Sequence, residues 1–100
     1  MVDAVKVYIA GPMTGIPGHN FPAFFAAEEI LRAQGHEVLN PARNGVCDGW
    51  TWADYMRRDL PMLAQADEVH VLPGWHHSRG ARLEVHVAHA LGMPVREVEA

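Results

Sequence analysis

One cysteine in 100 residues cannot close an internal disulfide, so a disulfide-stapled secreted scaffold is excluded. Cys47 also lacks the partners for a thiolate metal site, and no basic cluster beside it marks a reactive thiol. Basic residues are few: eight Lys and Arg stand against twelve Asp and Glu, a formal net charge of -4. That leaves no cationic excess for gripping a phosphate backbone, and no nucleic-acid partner is expected. No run nears the roughly 20 apolar residues that span a bilayer, so no membrane partner is expected. The opening Met-Val-Asp-Ala-Val-Lys has neither the basic start nor the apolar stretch of a signal peptide. A cytoplasmic chain is therefore expected. Two glycine fingerprints are missing as well. Gly11, Gly15 and Gly18 spell neither Gly-x-Gly-x-x-Gly nor a Gly-Lys-Ser/Thr loop, so no cofactor of those types is expected.

What is present is an ordinary globular balance, with 49% apolar and 20% charged residues, enough for one domain over residues 1–100. Val5–Ala10 is β-branched and aromatic and predicts a first strand. Gly11–Gly18 carries three Gly and two Pro and predicts a loop. Asn20 is expected to cap a helix with Pro22 in its first turn, on whose buried face Phe24, Ala27, Ile30 and Leu31 recur. Gly35 ends that helix. His36–Asn40 reads as a second strand, and Pro41–Trp50 as a loop. Thr51 and Asp54 form a capping pair for a helix to about Ala66, bent at Pro61. Glu68–Leu72 is a third strand and Pro73–His77 a loop. Ser78 caps a helix from Arg79 to Leu91, and Gly92 closes it. Pro94–Val98 is the last strand. This alternation predicts an α/β fold of three layers: a mostly parallel sheet of four to five strands, helices on both faces, flavodoxin-like or Rossmann-like. Ligands bind such sheets beyond the carboxyl ends of the strands. Here that edge carries the loops after Ala10, Asn40 and Leu72.

The segment Ser78-Arg79-Gly80-Ala81-Arg82-Leu83-Glu84 carries the most chemistry. Ser78 as N-cap leaves the first helical N–H groups aimed at the strand ends, where an anion is favoured. Gly80 lets a ligand approach the backbone. Glu84 faces the cleft if Leu83, Val87 and Leu91 form the stripe packed on the sheet, or else is a solvated helix carboxylate paired with Arg82 or Arg79. Tyr8, in an otherwise apolar strand, either orients a carboxylate through its phenol or is a core tyrosine. Asp59, after Arg57 and Arg58, is a candidate acid or one half of an exposed ion pair. Seven histidines include His76 and His77 side by side and His86 and His89 three apart. None forms His-Glu-x-x-His, and no metal site is expected. Trp50, Trp52 and Trp75 flank the ligand edge and either stack on a base or cover the core.

Three blocks together resemble the nucleoside 2-deoxyribosyltransferase family and its nucleotide N-glycosidase branch. They are Val7-Tyr8-Ile9-Ala10-Gly11-Pro12, Arg58-Asp59-Leu60 through Ala66-Asp67-Glu68-Val69, and Ser78-Arg79-Gly80 to Glu84. The chain is similar to short, phage-associated members of that family, over about Val5 to Val95. The resemblance implies that Glu84 attacks the anomeric carbon of a nucleoside or nucleotide sugar and displaces the base, as in retaining glycosidases. It implies that Tyr8 holds Glu84 in line and that Asp59 assists binding or proton transfer. Gly11, Pro12, Ser78, Arg79 and Gly80 then bind substrate. Transferases acting on free nucleosides carry an acid six positions before the nucleophile, whereas here that position is Ser78. A hydroxyl, helix-terminal N–H groups and an arginine favour a (deoxy)nucleoside 5′-monophosphate. Neither the Gly-Pro loop nor Pro41–Trp50 matches the family's base-binding segments, which leaves the base open. A homodimer or higher homo-oligomer is expected, since members of the family complete their site from a neighbour. Two other functions compete with this one: a nucleotide-binding module without turnover, and an NAD or ADP-ribose glycohydrolase.

Overall fold

The computed structural model describes residues 4–98; residues 1–3, part of the stretch read for a signal peptide, lie outside it. Four strands, β1 (Lys6–Ala10), β2 (Glu37–Leu39), β3 (Glu68–Val71) and β4 (Val95–Glu97), alternate with three helices, α1 (Phe21–Ala33), α2 (Trp52–Ala64) and α3 (Arg79–Ala90). The strands form one parallel sheet in the order β2-β1-β3-β4. Each parallel step needs a crossover, and each crossover here carries one α-helix preceded by a short 3-10 turn.

β1 is central, and Val7 to Ala10 are fully buried. Its alternation divides the core. Val7 and Ile9 pack with Phe24, Ala27 and Leu31 of α1, whereas Tyr8 and Ala10 pack with Leu63 of α2 and Val85 and Ala88 of α3. The helices therefore cover both faces, α1 on one and α2 with α3 on the other. Chain order reverses between β1 and β3, the switch point where sheets of this kind open a crevice at the carboxyl ends of the strands.

The helix boundaries follow local chemistry. Thr51 Oγ1 accepts from the Asp54 N–H at 3.2 Å, and Asp54 Oδ2 accepts from the Thr51 N–H at 2.9 Å, a reciprocal capping box. Ser78 Oγ accepts from the Ala81 N–H at 3.1 Å. Gly35 follows α1 at φ +93°, a conformation that costs glycine nothing. α2 continues through Pro61.

Three expectations need correction. Asn20 stands at the start of α1 but does not cap it. Its backbone is left-handed, and its Nδ2 instead donates to the Pro12 carbonyl at 2.9 Å. Ile30 is exposed, and the buried stripe of α1 is completed by Glu28. On α3 the sheet-facing stripe is Ala81, Glu84, Val85 and Ala88, while Leu91 is exposed. The small alanines let the helix sit close to β1 and β3. No described helix is long and apolar enough to cross a membrane.

Candidate active site

A cleft of about 660 Å³ opens at the carboxyl edge of the sheet. The chain enters it first at Gly11 and Pro12. A Cβ on Gly11 would fall 2.8 Å from the Leu72 Cβ, so the close approach of the chain leaving β3 demands glycine here. The turn beyond, Pro17–Asn20, holds His19 and Asn20 at φ 54° and 60°, a conformation uncommon in residues with a Cβ. It brings His19 to the rim.

The opposite wall is the start of α3. Ser78, Arg79, Gly80, Ala81 and Glu84 all line the cleft. Ser78 Oγ is committed to the Ala81 N–H, while the Arg79 and Gly80 N–H groups have no partner among the described residues. That helix end attracts an anion. The Arg79 guanidinium lies 3.7 Å from the centre of the Trp52 ring, stacked and held at the mouth. Gly80 has a packing cause that differs from the expected one. A Cβ there would meet Met56 Sδ at 3.3 Å and Trp52 Nε1 at 3.5 Å, so the missing side chain makes room for α2.

At the floor, the Tyr8 hydroxyl donates to Glu84 Oε2. Tyr8 is fully buried and Glu84 is 6% exposed, so Tyr8 lies beneath the cleft and acts on it only through Glu84. Burial pushes the Glu84 carboxyl up to about 8; the hydrogen bond from Tyr8 opposes this, and the nearby Asp59 adds to it. Burial, with Glu84 and Asp59 beside it, holds the Tyr8 phenol well above its ordinary range. Asp59 lines the same cleft. Its carboxyl is raised by burial, while Arg58, whose Nε lies 2.9 Å from Asp59 Oδ1, pulls the other way. Two raised carboxyls at the floor of the cleft, with a raised phenol directly beneath one of them, are the electrostatic signature of an acid–base or nucleophilic site.

The structure brings Glu84, Asp59, Ser78, Arg79, Gly80, Gly11 and Pro12 to one cavity, with Tyr8 directly below. Trp50 and Trp52 line it, but Trp75 packs instead into the core shared by β3 and α3. Arg82 is exposed and does not reach the cleft. Sequence reasoning missed Arg58, Tyr55 and His19 as cleft residues. The alternative reading of Asp59 as half of an exposed ion pair does not hold: its pair with Arg58 is largely buried, with side chains 18% and 10% exposed. Only the doubling of Arg57 and Arg58 before Asp59 hinted at it. No group of three or more His, Cys, Asp or Glu side chains is placed to hold a metal among the described residues.

The same fold occurs in a 2-deoxyribosyltransferase from Bacillus psychrosaccharolyticus. That protein is 23% identical at a TM-score of 0.72, the alignment covering 92% of this chain and 70% of that one. A conserved protein from Enterococcus faecalis aligns at 22% identity and a TM-score of 0.72, over 95% of this chain and 63% of its own. At such identities the likeness is one of fold. No curated protein matches the chain. The family model that matches, over residues 5–97, is that of DUF4406, a domain of unknown function, and the chain belongs to that family.

Proposed function

We propose that this chain cleaves the base–sugar bond of a (deoxy)nucleoside 5′-monophosphate as an N-glycosidase or deoxyribosyltransferase, with Glu84 as nucleophile. The observation that carries the reading is the buried Tyr8–Glu84 hydrogen bond at the floor of the cleft, beside the N-terminus of α3. The shared fold with a 2-deoxyribosyltransferase supports glycosyl transfer at a nucleoside as the reaction class.

In the proposed reaction an ionised Glu84 oxygen attacks the anomeric carbon as the base leaves with the C–N bonding pair. Asp59 gives the departing base its proton. The glycosyl–enzyme ester is then opened by water or by a second base, with Asp59 accepting a proton. The competent state has one proton on the Glu84–Asp59 pair, placed on Asp59, the minor placement because burial raises Glu84 the more. Tyr8 favours it, because its hydrogen bond stabilises the Glu84 carboxylate. The sugar phosphate would sit at Ser78 and the free N–H groups of α3, with Arg79 beside it. Trp50, Trp52 and Tyr55 offer stacking faces to the base.

Incubation with a panel of nucleoside monophosphates, followed by chromatography for free base, tests this. Glu84→Gln is expected to lose about 10³-fold or more in rate. Equal product from the variant and wild type would refute Glu84 as nucleophile. Tight nucleotide binding with no base released would instead favour a binding module. The outer wall of the cleft leaves Val46 55% and Trp50 40% exposed, which supports completion of the site by a second copy. A fully active monomer in solution would refute that part.

A further inference from the structure

Adjacent residues on a helix diverge by about 100°, and their side chains do not normally meet. Yet Arg58 Nε lies 2.9 Å from Oδ1 of its own neighbour, Asp59. Something outside the helix must hold the guanidinium there, and the structure shows what does. Arg58 Nη1 donates to the Gly45 carbonyl at 3.3 Å. The guanidinium carbon lies 5.4 Å from the centre of the Trp50 ring and 5.2 Å from that of Tyr55. These rings meet edge-on at 5.1 Å. The Tyr55 hydroxyl accepts from the Cys47 N–H at 2.9 Å and donates to the Cys47 carbonyl at 3.0 Å. Residues 45–50 have no regular secondary structure, and these contacts fasten them to α2.

We propose that Arg58 is a positioning residue that presents Asp59 to the leaving base and, through the same guanidinium, sets the aromatic wall formed by residues 45–50. It occupies Oδ1 and leaves Oδ2 for the ligand. It also makes the wall and the acid one unit, because a base displacing Trp50 would loosen the group that holds the acid. The proposal rests on the reading above only in taking Asp59 as the proton donor. Besides Arg58, the titratable groups acting with Asp59 are Glu84 on α3 and Tyr8 on β1. His19, His77 and Arg79 share the cleft.

The test needs no turnover for its main readouts. The Asp59 carboxyl is titrated by carbon NMR, and amide exchange is followed at Cys47, in the wild type, Arg58→Gln and Arg58→Lys. Arg58→Gln removes the positive partner, and the Asp59 midpoint is expected to move up by about one pH unit or more. Exchange at Cys47 is expected to rise at least about tenfold, as its segment loses its anchor. Arg58→Lys keeps the charge, but one ammonium cannot bridge Asp59 and Gly45 with the fixed fork of a guanidinium. Its Asp59 midpoint should stay near wild type while Cys47 exchange rises. In the active enzyme, Arg58→Gln is expected to move the acid limb of the pH–rate profile upward, since Asp59 is the lower-titrating member of its pair with Glu84. It is also expected to raise KM about tenfold, and simple destabilisation does not produce these changes together. An unmoved Asp59 midpoint in folded Arg58→Gln, or unchanged exchange at Cys47 in Arg58→Lys, overturns the proposal. If Arg58→Gln fails to fold, Arg58→Lys decides. A wild type that releases no base from any nucleotide defeats the proposed reaction, but leaves both NMR readouts to judge Arg58.

Discussion

A carboxyl group buried on the sheet-facing side of its helix loses most of its hydration, and Glu84 regains only part of it from one phenol. Its folded value of about 8 lies above the ordinary 4.5, which fixes the sign of its effect on stability. The contribution is fully present below about pH 4.5 and is lost as pH rises through about 8. Glu84→Gln keeps an acceptor for Tyr8 but carries no charge. It is expected to be more stable than wild type by an amount that grows from pH 4.5 to 8. Above that the gain should level off at a few kcal/mol, because a tenfold change in proton affinity corresponds to about 1.4 kcal/mol. Urea unfolding across pH measures this difference, and a flat difference would show that Glu84 does not titrate as its burial requires. Tyr8→Phe acts oppositely on the same group. Loss of the donor destabilises the carboxylate and raises Glu84 further. As the higher-titrating member of the pair, Glu84 sets the alkaline limb of the pH–rate profile, which is expected to move to higher pH. A fall in kcat of about 10–100-fold should follow with KM little changed, because Tyr8 lies below the cleft and meets it only through Glu84.

Between elements, the firmest polar tie lies on the other face of the sheet. Glu28 of α1 is 2% exposed. It accepts from Arg43 Nε at 2.7 Å, Arg32 Nε at 2.8 Å and Asn40 Nδ2 at 3.1 Å. Asn40 also caps the turn Pro41–Asn44 by accepting from the Ala42 N–H at 3.0 Å. The clasp pins the chain leaving β2 to α1. The Arg43 hydrogen bond leads the effects that lower the Glu28 carboxyl to about 2. The stabilisation is therefore present above pH 4.5 and lost as pH falls through about 2. Glu28→Gln is expected to cost about 1–2 kcal/mol at pH 7, since both arginines are half-exposed and screened. Its gap to wild type should close between pH 4.5 and 2 in acid unfolding curves. The elements themselves were legible because apolar periodicity and Gly, Pro, Ser and Thr punctuation are local signals. Tyr8, Asp59, Ser78 and Glu84 could be singled out only through the three blocks that resemble the deoxyribosyltransferase family, since each taken alone left a purely structural reading open. Glu28 was not legible, because a carboxylate within an apolar stripe has no meaning until Arg43, fifteen residues on, is seen to reach it. Arg58 was hidden for a similar reason, since its partners Gly45 and Trp50 lie on a segment without periodicity. On α3, the larger residues Leu83 and Leu91 drew the sheet-facing stripe away from the alanines that close packing prefers.

Every connection that leaves a strand at the carboxyl edge contributes a wall to one cleft: Gly11 and Pro12 after β1, Pro41 and Val46 after β2, Ser78 after β3. A ligand bridging them stabilises the folded chain as a whole and has nothing comparable to bind in the unfolded one. At about one hundred times its Kd it adds about 2.7 kcal/mol. For a chain of this length about 1 kcal/mol moves Tm by roughly 4–8 °C, so a shift of about 10–20 °C is expected from a nucleoside monophosphate. The parent nucleoside at equal concentration should shift Tm less, because it leaves the end of α3 without an anion. Ser78→Asp separates cap from phosphate. Aspartate caps a helix as well as serine does, so the variant should fold with an unchanged ligand-free Tm. Its carboxylate, however, occupies the anion site and repels the phosphate. The variant is expected to lose most of the shift given by the monophosphate while keeping that given by the nucleoside. If monophosphate and nucleoside shift the wild type equally, the end of α3 binds no phosphate, and the substrate is a free nucleoside.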